Sequence, residues 1–202
     1  GLIEEPLLLI KNKNNKEVCL SNVCTHRGNI LIENPCVINK DIVCGYHGRR
    51  FDNCGRFKSM PEADGMENFP CKSDDLVKVP LKKWKQFLFS SLDPAINFDE
   101  LFSFMESIVG WMPIENFIYD PVRSRDYLVK SNWALYCDNY LEGFHIPFIH
   151  KDLAKTLDYS QYNTVIDKYC NQQKGFGTGS DFCFELPKNS EDFGKEIAAY
   201  YF

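Results

Sequence analysis

The chain has 202 residues, 44% of them hydrophobic and 25% charged, which is typical of a soluble globular protein with one or two domains. Its net charge of −5 argues against nucleic acid or an anionic membrane surface as the main partner. No apolar run approaches the length of a membrane span. Sixteen Phe and ten Tyr residues indicate a well-filled core rather than an aromatic binding surface.

The N-terminal segment and the cysteine count predict the cellular compartment. The stretch GLIEEPLLLIKNKNN lacks the basic region and the cleavage site of a signal peptide. Nine cysteines, an odd number, argue against a disulfide framework and favour a reducing environment. We therefore predict a cytoplasmic protein. Because the chain begins with Gly1 and not with Met, we expect a trimmed N-terminus.

Residues 1–92 are predicted to form short strands joined by turns. The stretch PLLLIKNKNNKEVCLSNVC predicts two strands around a polar turn at residues 13–16. CVINKDIVC and RRFDNCGRFKSMP predict two more hairpins, turning at residues 39–41 and 53–55. LVKVPLKKWKQFLFSSLDP alternates between apolar and polar residues and then ends in an apolar strand. Spacing this regular predicts a small antiparallel β domain.

Residues 93–202 differ from residues 1–92 in the spacing of their apolar residues. FDELFSFMESIVGW and SNWALYCDNYLEGF carry apolar residues at helical spacing, whereas VRSRDYLVK is a strand candidate. In the tail, NQQKGFGTGSD predicts a loop, FCFELP a short strand and SEDFGKEIAAYYF the start of a helix. We therefore predict an α+β protein with a domain boundary between residues 92 and 93.

Two short segments combine cysteine and histidine. The first is Cys24-x-His26, and Cys44-x-x-His47 follows after seventeen residues. Thiolate and imidazole both bind iron and zinc. Two cysteines and two histidines match the ligands of a [2Fe-2S] cluster with mixed ligation, in which neutral imidazoles raise the reduction potential. A structural zinc site has the same ligands, although zinc fingers usually group the cysteines together and the histidines together. Four unrelated residues are the other alternative.

The chain contains only two further histidines, His145 and His150, in CDNYLEGFHIPFIH. Their spacing of five does not place them on one helix face, and Pro147 disfavours a continuous helix between them. We therefore expect His145 near a helix end and His150 beyond a break, where the imidazoles can converge. Glu142 lies three residues before His145 and is predicted to share its helix face. Two histidines and a carboxylate are the ligand set of non-haem iron(II) oxygenases; an ordinary solvated carboxylate is the alternative for Glu142.

Both constellations resemble one family. CTHRG and CGYHGRRF resemble the signature of Rieske iron–sulfur domains of the oxygenase and ferredoxin branch, because the additional cysteine pair of respiratory Rieske proteins has no counterpart. SNWALYCDNYLEGFHIPFIH resembles the catalytic α subunit of Rieske non-haem iron oxygenases, which hydroxylate aromatic rings or oxidise quaternary amines. The Asn132-Trp133 and Asp138-Asn139 pairs fall where that family has such pairs. The resemblance extends from about Ile3 to the end of the chain.

The resemblance implies two cofactors and their ligands. A [2Fe-2S] cluster would be held by Cys24, Cys44 and the two histidines of the same segments, and a mononuclear Fe(II) by His145 and His150. Asn139 and Glu142 would be catalytic. The family often has Asp in place of Glu142, where the acid hydrogen-bonds across a subunit interface toward the neighbour's Rieske histidine.

The same resemblance implies the partners and the architecture. It implies a reductase, with or without a ferredoxin, as electron donor, O2 and a small aromatic or quaternary-amine substrate, a homotrimer and a catalytic domain of the helix-grip type. The family's third iron ligand is a carboxylate that follows a later sheet. The chain also has acids after His150, none in a matching context: Asp152, Asp158, Asp167 and Asp181. We therefore expect a third ligand outside this sequence and a chain that is a fragment of a longer oxygenase.

Two other functions remain open from the sequence. A stand-alone Rieske ferredoxin would transfer electrons without a catalytic iron, but it needs only the first half of the chain. A zinc-stapled interaction module is the third hypothesis. Arg49 and Arg50 follow the second cysteine–histidine segment and are predicted either to dock an acidic electron donor or to form a solvated strand face. The seven remaining cysteines lack ligand spacing and are interpreted as structural.

Overall fold

The computed structural model describes residues 4–12, 14–179 and 183–202. The chain divides into two compact units, unit 1 (Gly1–Ala95) and unit 2 (Ile96–Phe202). The predicted domain boundary lies three residues before this division. In the described part of the chain, no helix combines the length and the apolarity that crossing a membrane requires.

The first sheet of unit 1 is antiparallel. Strand β1 (Leu7–Lys11) pairs with β2 (Glu17–Ser21), which also pairs with β6 (Lys78–Val79). Along β1, Leu8 and Ile10 point into the core while their neighbours are exposed, as a half-buried strand requires. The predicted first hairpin is therefore confirmed, although one residue of its turn, at position 13, lies outside the described residues.

The second sheet of unit 1 consists of β3 (Ile42–Val43), β4 (Arg50–Phe51) and β5 (Phe57–Ser59). Gly55 (φ +80°) turns the chain between β4 and β5, which confirms the predicted hairpin there. The hairpin predicted around residues 39–41 is wrong. The preceding segment pairs with no strand, and its Val37 is 83% exposed, because β3 pairs with β4 instead.

Unit 1 ends with a two-stranded hairpin, and its described residues include a hydrophobic core. Strands β7 (Leu81–Trp84) and β8 (Phe87–Ser90) pair around Lys85, which adopts φ +51°. The core is built from both three-stranded sheets and from the two cysteines of the predicted metal site. Its buried members are Leu8, Ile10, Leu20, Cys24, Leu31, Ile42, Cys44, Phe51 and Leu76.

The helices of unit 2 precede its sheet. They are α1 (Phe98–Val109), α2 (Trp133–Tyr140), α3 (Ile146–Ile149) and α4 (Lys151–Thr156). The side chains of Asn97 and Asn132 cap α1 and α2 by accepting from N–H groups of the first turn, so both predicted helices begin at a capping residue. Two 3₁₀ turns, Ile114–Asn116 and Tyr159–Gln161, join the helices to the rest.

The sheet of unit 2 has four antiparallel strands in the order β11–β12–β10–β9. They are β9 (Asn163–Ile166), β10 (Asn171–Phe176), β11 (Phe184–Glu185) and β12 (Glu196–Tyr201). The core of unit 2 includes Phe176, Leu186 and Ile197, with Trp111 packed against them. Helices and antiparallel sheets in one chain confirm the predicted α+β class.

Three predictions for unit 2 are wrong. The first part of the loop predicted from residue 171 is β10. The last two residues of that predicted loop lie outside the described residues, and so does the first residue of the predicted strand FCFELP. The predicted C-terminal helix is β12, because Gly194 (φ +92°) interrupts helical geometry and the residues after it pair with β10. The strand candidate at residues 122–130 does not form a strand with any residue that the structure describes, and Leu128 is fully exposed.

Candidate functional site

The four predicted cluster ligands lie in two loops that share one backbone turn. Ligand loop 1 comprises residues 24–29, and ligand loop 2 comprises residues 44–49. In each loop the cysteine N–H donates to the carbonyl oxygen five residues later at 2.8 Å, and the glycine N–H donates back to the cysteine carbonyl at 3.0 Å. Gly28 (φ +71°) and Gly48 (φ +69°) adopt the left-handed conformation that this turn needs. Histidine is the third residue of loop 1 and the fourth of loop 2.

Short antiparallel pairs hold both loops. Val23 pairs with Ile30 on either side of loop 1, and Val43 pairs with Arg50 on either side of loop 2. Because the residues on both sides of each loop are paired, the two ends of the loop are fixed and the orientation of its ligand side chains is constrained.

The loops bring the cysteines together in the core and the histidines together at the surface. Cys24 and Cys44 are 3% and 2% exposed, and their thiols are in hydrogen-bonding contact. The rings of His26 and His47 are exposed and lie 4.7 Å apart between centroids. Tyr46 packs against the ring of His47 with centroids 3.9 Å apart. The site therefore has a buried thiol pair and an exposed imidazole pair.

Burial and hydrogen bonds shift the pKa values of these groups in different directions. Burial raises the pKa of the Cys24 thiol. Burial also opposes ionisation of Cys44, but the backbone N–H of Tyr46 and the thiol of Cys24 donate to its sulfur, so its pKa lies below the ordinary value. Burial and the neighbouring His47 lower the pKa of His26 and favour the neutral imidazole that ligates a metal.

This donor set fits a [2Fe-2S] cluster of the mixed type, which needs two thiolates on one iron and two imidazoles on the other. A zinc ion would need all four side chains around one point. Within the residues that the structure describes, no three His, Cys, Asp or Glu side chains converge as ligands of a single ion. The separation into a thiol pair and an imidazole pair matches the two-iron division better than the zinc alternative.

The two arginines after the second histidine differ from each other. Arg49 is 3% exposed and its guanidinium contacts loop 1, so both sequence interpretations of this residue are wrong. Arg50 is exposed on β4, and one guanidinium nitrogen lies 3.9 Å from Asp41. Sequence reasoning missed Arg49 because an Arg-Arg pair after a loop gives no local signal of burial.

The second histidine pair flanks a one-turn helix in unit 2. His145 precedes α3 and His150 separates α3 from α4, with their ring centroids 5.1 Å apart. The expected convergence is present, but Pro147 lies in the first turn of α3, where it is tolerated, instead of breaking a longer helix. Glu142 does not share a helix face with His145, because α2 ends at Tyr140.

Glu142 nevertheless contacts His145 through the turn between the helices. Its carboxylate accepts one hydrogen bond from Nδ1 of the His145 imidazole and another from the backbone N–H of Phe144. The bond to His145 is the largest cause that lowers the pKa of Glu142 below its ordinary value. A carboxylate on one ring nitrogen fixes the tautomer and the orientation of the ring, and leaves Nε2 as the metal-binding atom.

Both histidines line a cavity of about 310 Å³ in unit 2. The predicted residues Asn139 and Glu142 lie in its wall. The other lining residues are mostly aromatic or apolar side chains from α2, α3, α4, the sheet and the position before β9: Tyr136, Tyr140, Ile146, Leu153, Tyr162, Gln173 and Tyr201. The cavity therefore brings together every predicted site residue of the second constellation.

Four tyrosines dominate this cavity. The hydroxyl of Tyr162 donates to the buried side chain of Gln173 at 2.5 Å, and Gln173 in turn donates to the carbonyl of Tyr140. Burial and the neighbouring Tyr201 raise the pKa of Tyr162 to about 12, so it stays a neutral phenol. A Cβ atom on Gly143 would lie 2.6 Å from the Tyr162 ring, which explains a glycine between Glu142 and His145.

Sequence reasoning assigned the tyrosines to the core. A usable signal was the spacing of Tyr136 and Tyr140, four residues apart on the helix that leads to the histidines.

Two of the acids after His150 that the structure describes, Asp152 and Asp158, make other contacts. The side chain of Asp152 is 99% exposed beside Lys155, and Asp158 caps the 3₁₀ turn that follows. The fourth acid, Asp181, lies outside the described residues. Among the described residues, no third ligand joins the two histidines in a single-ion site.

Two family signatures match the chain in the same order as the two sites. The signature of the Rieske [2Fe-2S] domain matches residues 1–70, and the signature of the ring hydroxylating alpha subunit (catalytic domain) matches residues 112–195. The first contains both ligand loops, and the second contains both histidines of the cavity and all of its lining residues except Tyr201. A stand-alone Rieske ferredoxin would account for the first match only.

Curated relatives and a solved structure agree with these matches. Choline monooxygenase of Beta vulgaris is 29% identical over 192 residues, which cover 82% of this chain and 41% of that protein. The carnitine monooxygenase oxygenase subunit of Acinetobacter baumannii is 25% identical, over 95% of this chain and 52% of its own length. The crystal structure of the quaternary ammonium Rieske monooxygenase CntA has the same fold, with a TM-score of 0.75 at 23% identity over 89% of this chain and 50% of its own.

The chain thus spans about half the length of the curated relatives it matches. Within that span, both family signatures, both sites and the fold agree, and the chain belongs to the family of Rieske non-haem iron oxygenase alpha subunits.

Proposed function

We propose that this chain is the cluster-bearing and histidine-bearing part of an oxygenase component that hydroxylates a small organic substrate with O2. The two ligand loops hold a [2Fe-2S] cluster, and the two cavity histidines bind a mononuclear iron(II). When bound, the cluster carries single electrons and the iron(II) supplies open coordination positions for O2. The cavity supports this proposal most strongly, because its wall contains both histidines that the ligand loops do not use.

The residues around the cavity prepare the site for this chemistry. Glu142 orients the His145 ring through Nδ1, and a free Nε2 is then directed to one metal position. The Glu142 side chain is 34% exposed, so it remains accessible to a second molecule. We propose that it links His145 to the cluster of a neighbouring subunit in a homotrimer, with Asn139 as a further catalytic residue of the same wall.

The electron donor is proposed to be a reductase, with or without a ferredoxin. The imidazole pair is exposed on unit 1 and is the accessible end of the proposed cluster. We place the protein in the cytoplasm, supported by nine free cysteines, three of them exposed, which a reducing environment keeps as thiols.

The tyrosines support a quaternary ammonium substrate. A trimethylammonium group cannot donate hydrogen bonds and is recognised by the faces of aromatic rings, which contribute roughly 0.5–2 kcal/mol. The cavity offers four tyrosine rings, and the carboxylate of Glu142 adds a negative charge. The relatives named above oxidise choline and carnitine by name, which agrees with this chemistry.

Iron binding separates the oxygenase from the ferredoxin alternative. The cluster-loaded chain is titrated anaerobically with Fe(II), beside a variant that carries both His145→Ala and His150→Ala. We expect iron beyond two atoms per chain to bind to the parent only, because the imidazoles are the ligands. Identical titrations of the two proteins would contradict the mononuclear site.

Ligand binding tests the substrate class. Choline is compared by calorimetry with 3,3-dimethylbutan-1-ol, its neutral analogue in which carbon replaces nitrogen. We expect choline to bind more tightly, and Tyr140→Leu to weaken it by about 2- to 30-fold while Tyr140→Phe retains affinity through its ring. Equal binding of the two ligands would favour a neutral, aromatic substrate instead.

A further inference from the structure

The buried guanidinium of Arg49 joins the two ligand loops. Arg49 is the last residue of ligand loop 2, and its Nη1 donates to the hydroxyl of Thr25 in loop 1 at 2.7 Å. Its Nη2 donates to the carboxylate of Asp74 at 2.9 Å. The Thr25 hydroxyl donates to the carbonyl of Asp74 at 2.8 Å, so the three residues form a closed network. Thr25 lies between a cysteine and a histidine that are proposed cluster ligands.

Burying this charge requires compensation. The guanidinium lies over the rings of Phe57 and Phe69, at 5.0 Å and 5.5 Å from their centroids, which favours a cation by roughly 0.5–2 kcal/mol. Its Nε has no hydrogen-bond partner among the described residues. An unsatisfied buried donor costs free energy, so the position demands a functional or structural reason.

Each ligand loop contacts the other through the side chain of its last residue. Asn29 occupies in loop 1 the place that Arg49 occupies in loop 2, and its side-chain amide hydrogen-bonds the thiol of Cys44. The contacts between the two loops are therefore reciprocal. This exchange connects segments that are about twenty positions apart in the sequence and that no strand pairing joins directly.

We propose that Arg49 is a positioning residue that clasps the two ligand loops and raises the reduction potential of the cluster through its charge. This inference rests on the proposed cluster. Reduction adds negative charge to the cluster, so a fixed positive charge nearby stabilises the reduced form. Asp74 offsets part of the effect. Its carboxylate contacts the loops only through Arg49, whereas the guanidinium contacts Thr25 directly, so the positive charge dominates.

Two substitutions test the clasp without changing its charge. Thr25→Val preserves the shape but removes the hydroxyl, and Thr25→Ser, which keeps the hydroxyl, is the matched control. Arg49→Lys keeps the charge but loses the forked contact to two acceptors. We expect the Thr25→Val and Arg49→Lys variants to release iron to a chelator about 10-fold faster or more, because they lose a contact that supports the ligands. We also expect both substitutions to lower the unfolding temperature of the metal-free protein. Thr25→Ser behaves as the parent.

The reduction potential tests the charge. It is measured by visible spectroscopy against redox dyes in Arg49→Met, Asp74→Asn and the double variant. We expect a lower potential for Arg49→Met, a higher one for Asp74→Asn and an intermediate value for the double variant, which leaves neither charge unpaired and so folds even if a single variant does not. A contact that only stabilises the fold would not shift the two single variants in opposite directions.

The outcomes separate this inference from the cluster assignment. If the parent takes up no [2Fe-2S] cluster, the cluster assignment fails, while unfolding of the metal-free variants still decides whether the clasp exists. If the cluster is present and both chelator resistance and potential match the parent in all variants, the inference about Arg49 is wrong.

Discussion

At the scale of single residues, each ligand loop contributes one thiol and one imidazole to the proposed cluster, in which neutral imidazoles raise the reduction potential. We predict that His47→Cys lowers the reduction potential of the cluster, because a thiolate adds a negative charge beside the iron. Redox titration monitored by EPR measures the effect. An intact cluster whose potential is unchanged or higher would refute the assignment of His47 as a ligand.

Glu142 is proposed to act through its contact with the His145 ring. We predict that Glu142→Ala in the complete oxygenase retains both metal centres but loses about 10- to 100-fold in turnover, because the His145 ring is no longer oriented. Product formed in a single turnover by pre-reduced enzyme is the measurement. Glu142→Asp is the control, since it keeps a carboxylate. Near-normal rates in Glu142→Ala would show that turnover does not depend on the contact between Glu142 and His145.

At the scale of elements, the ligand loops are a matched pair that differs in surroundings. Gly28 and Gly48 have nearly the same positive φ, but a Cβ atom at Gly28 meets nothing within 4 Å, whereas one at Gly48 lies 3.3 Å from Pro61. We predict that Gly28→Ala costs about 1–2 kcal/mol of unfolding free energy for backbone strain alone, and that Gly48→Ala costs more.

Urea unfolding of the metal-free protein measures both values. Equal losses would mean that Pro61 moves aside without cost, and a negligible loss in both variants would show that the loops change conformation to accept alanine.

The strands of unit 2 show why element prediction failed where it did. Helices α1 and α2 begin at asparagine caps, which are signals within a few residues of the helix itself. Strand β12 pairs with β11 and with β10, and β10 lies more than twenty residues away. Its sequence EIAAYY contains good helix formers, so pairing with β10 overrides the local preference.

At the scale of the whole molecule, the chain contains four donor side chains for the proposed cluster and two imidazoles for the proposed mononuclear iron. We predict that the 202-residue chain assembles the cluster but binds a third iron weakly, and that it does not consume O2 when its reductase is supplied. Two neutral imidazoles lack the anionic oxygen donor that completes such an iron(II) site.

Iron titration and oxygen uptake, measured on the same preparation, test this prediction. Tight binding of a third iron with substrate-dependent O2 uptake would show that a local acid, such as Asp152 or Asp158, completes the site. Adding the downstream region of a longer relative, with its carboxylates, should recover iron binding and O2 uptake together.

The sequence by itself determined the ligand loops and the histidine pair. Both depend on short spacings: a cysteine, a histidine and a positive-φ glycine within five residues, and two histidines around a proline. It also determined the α+β class, because helical and alternating patterns are local. Only the tertiary structure decided that Arg49 is buried against the rings of Phe57 and Phe69.

The tertiary structure likewise decided that Glu142 reaches His145 through a turn and that tyrosines from α2 and from the sheet line one cavity. These contacts join residues that are distant in the sequence, or they depend on where a helix ends. The free energy that determines them comes from packing and pairing between elements, and no local pattern encodes it.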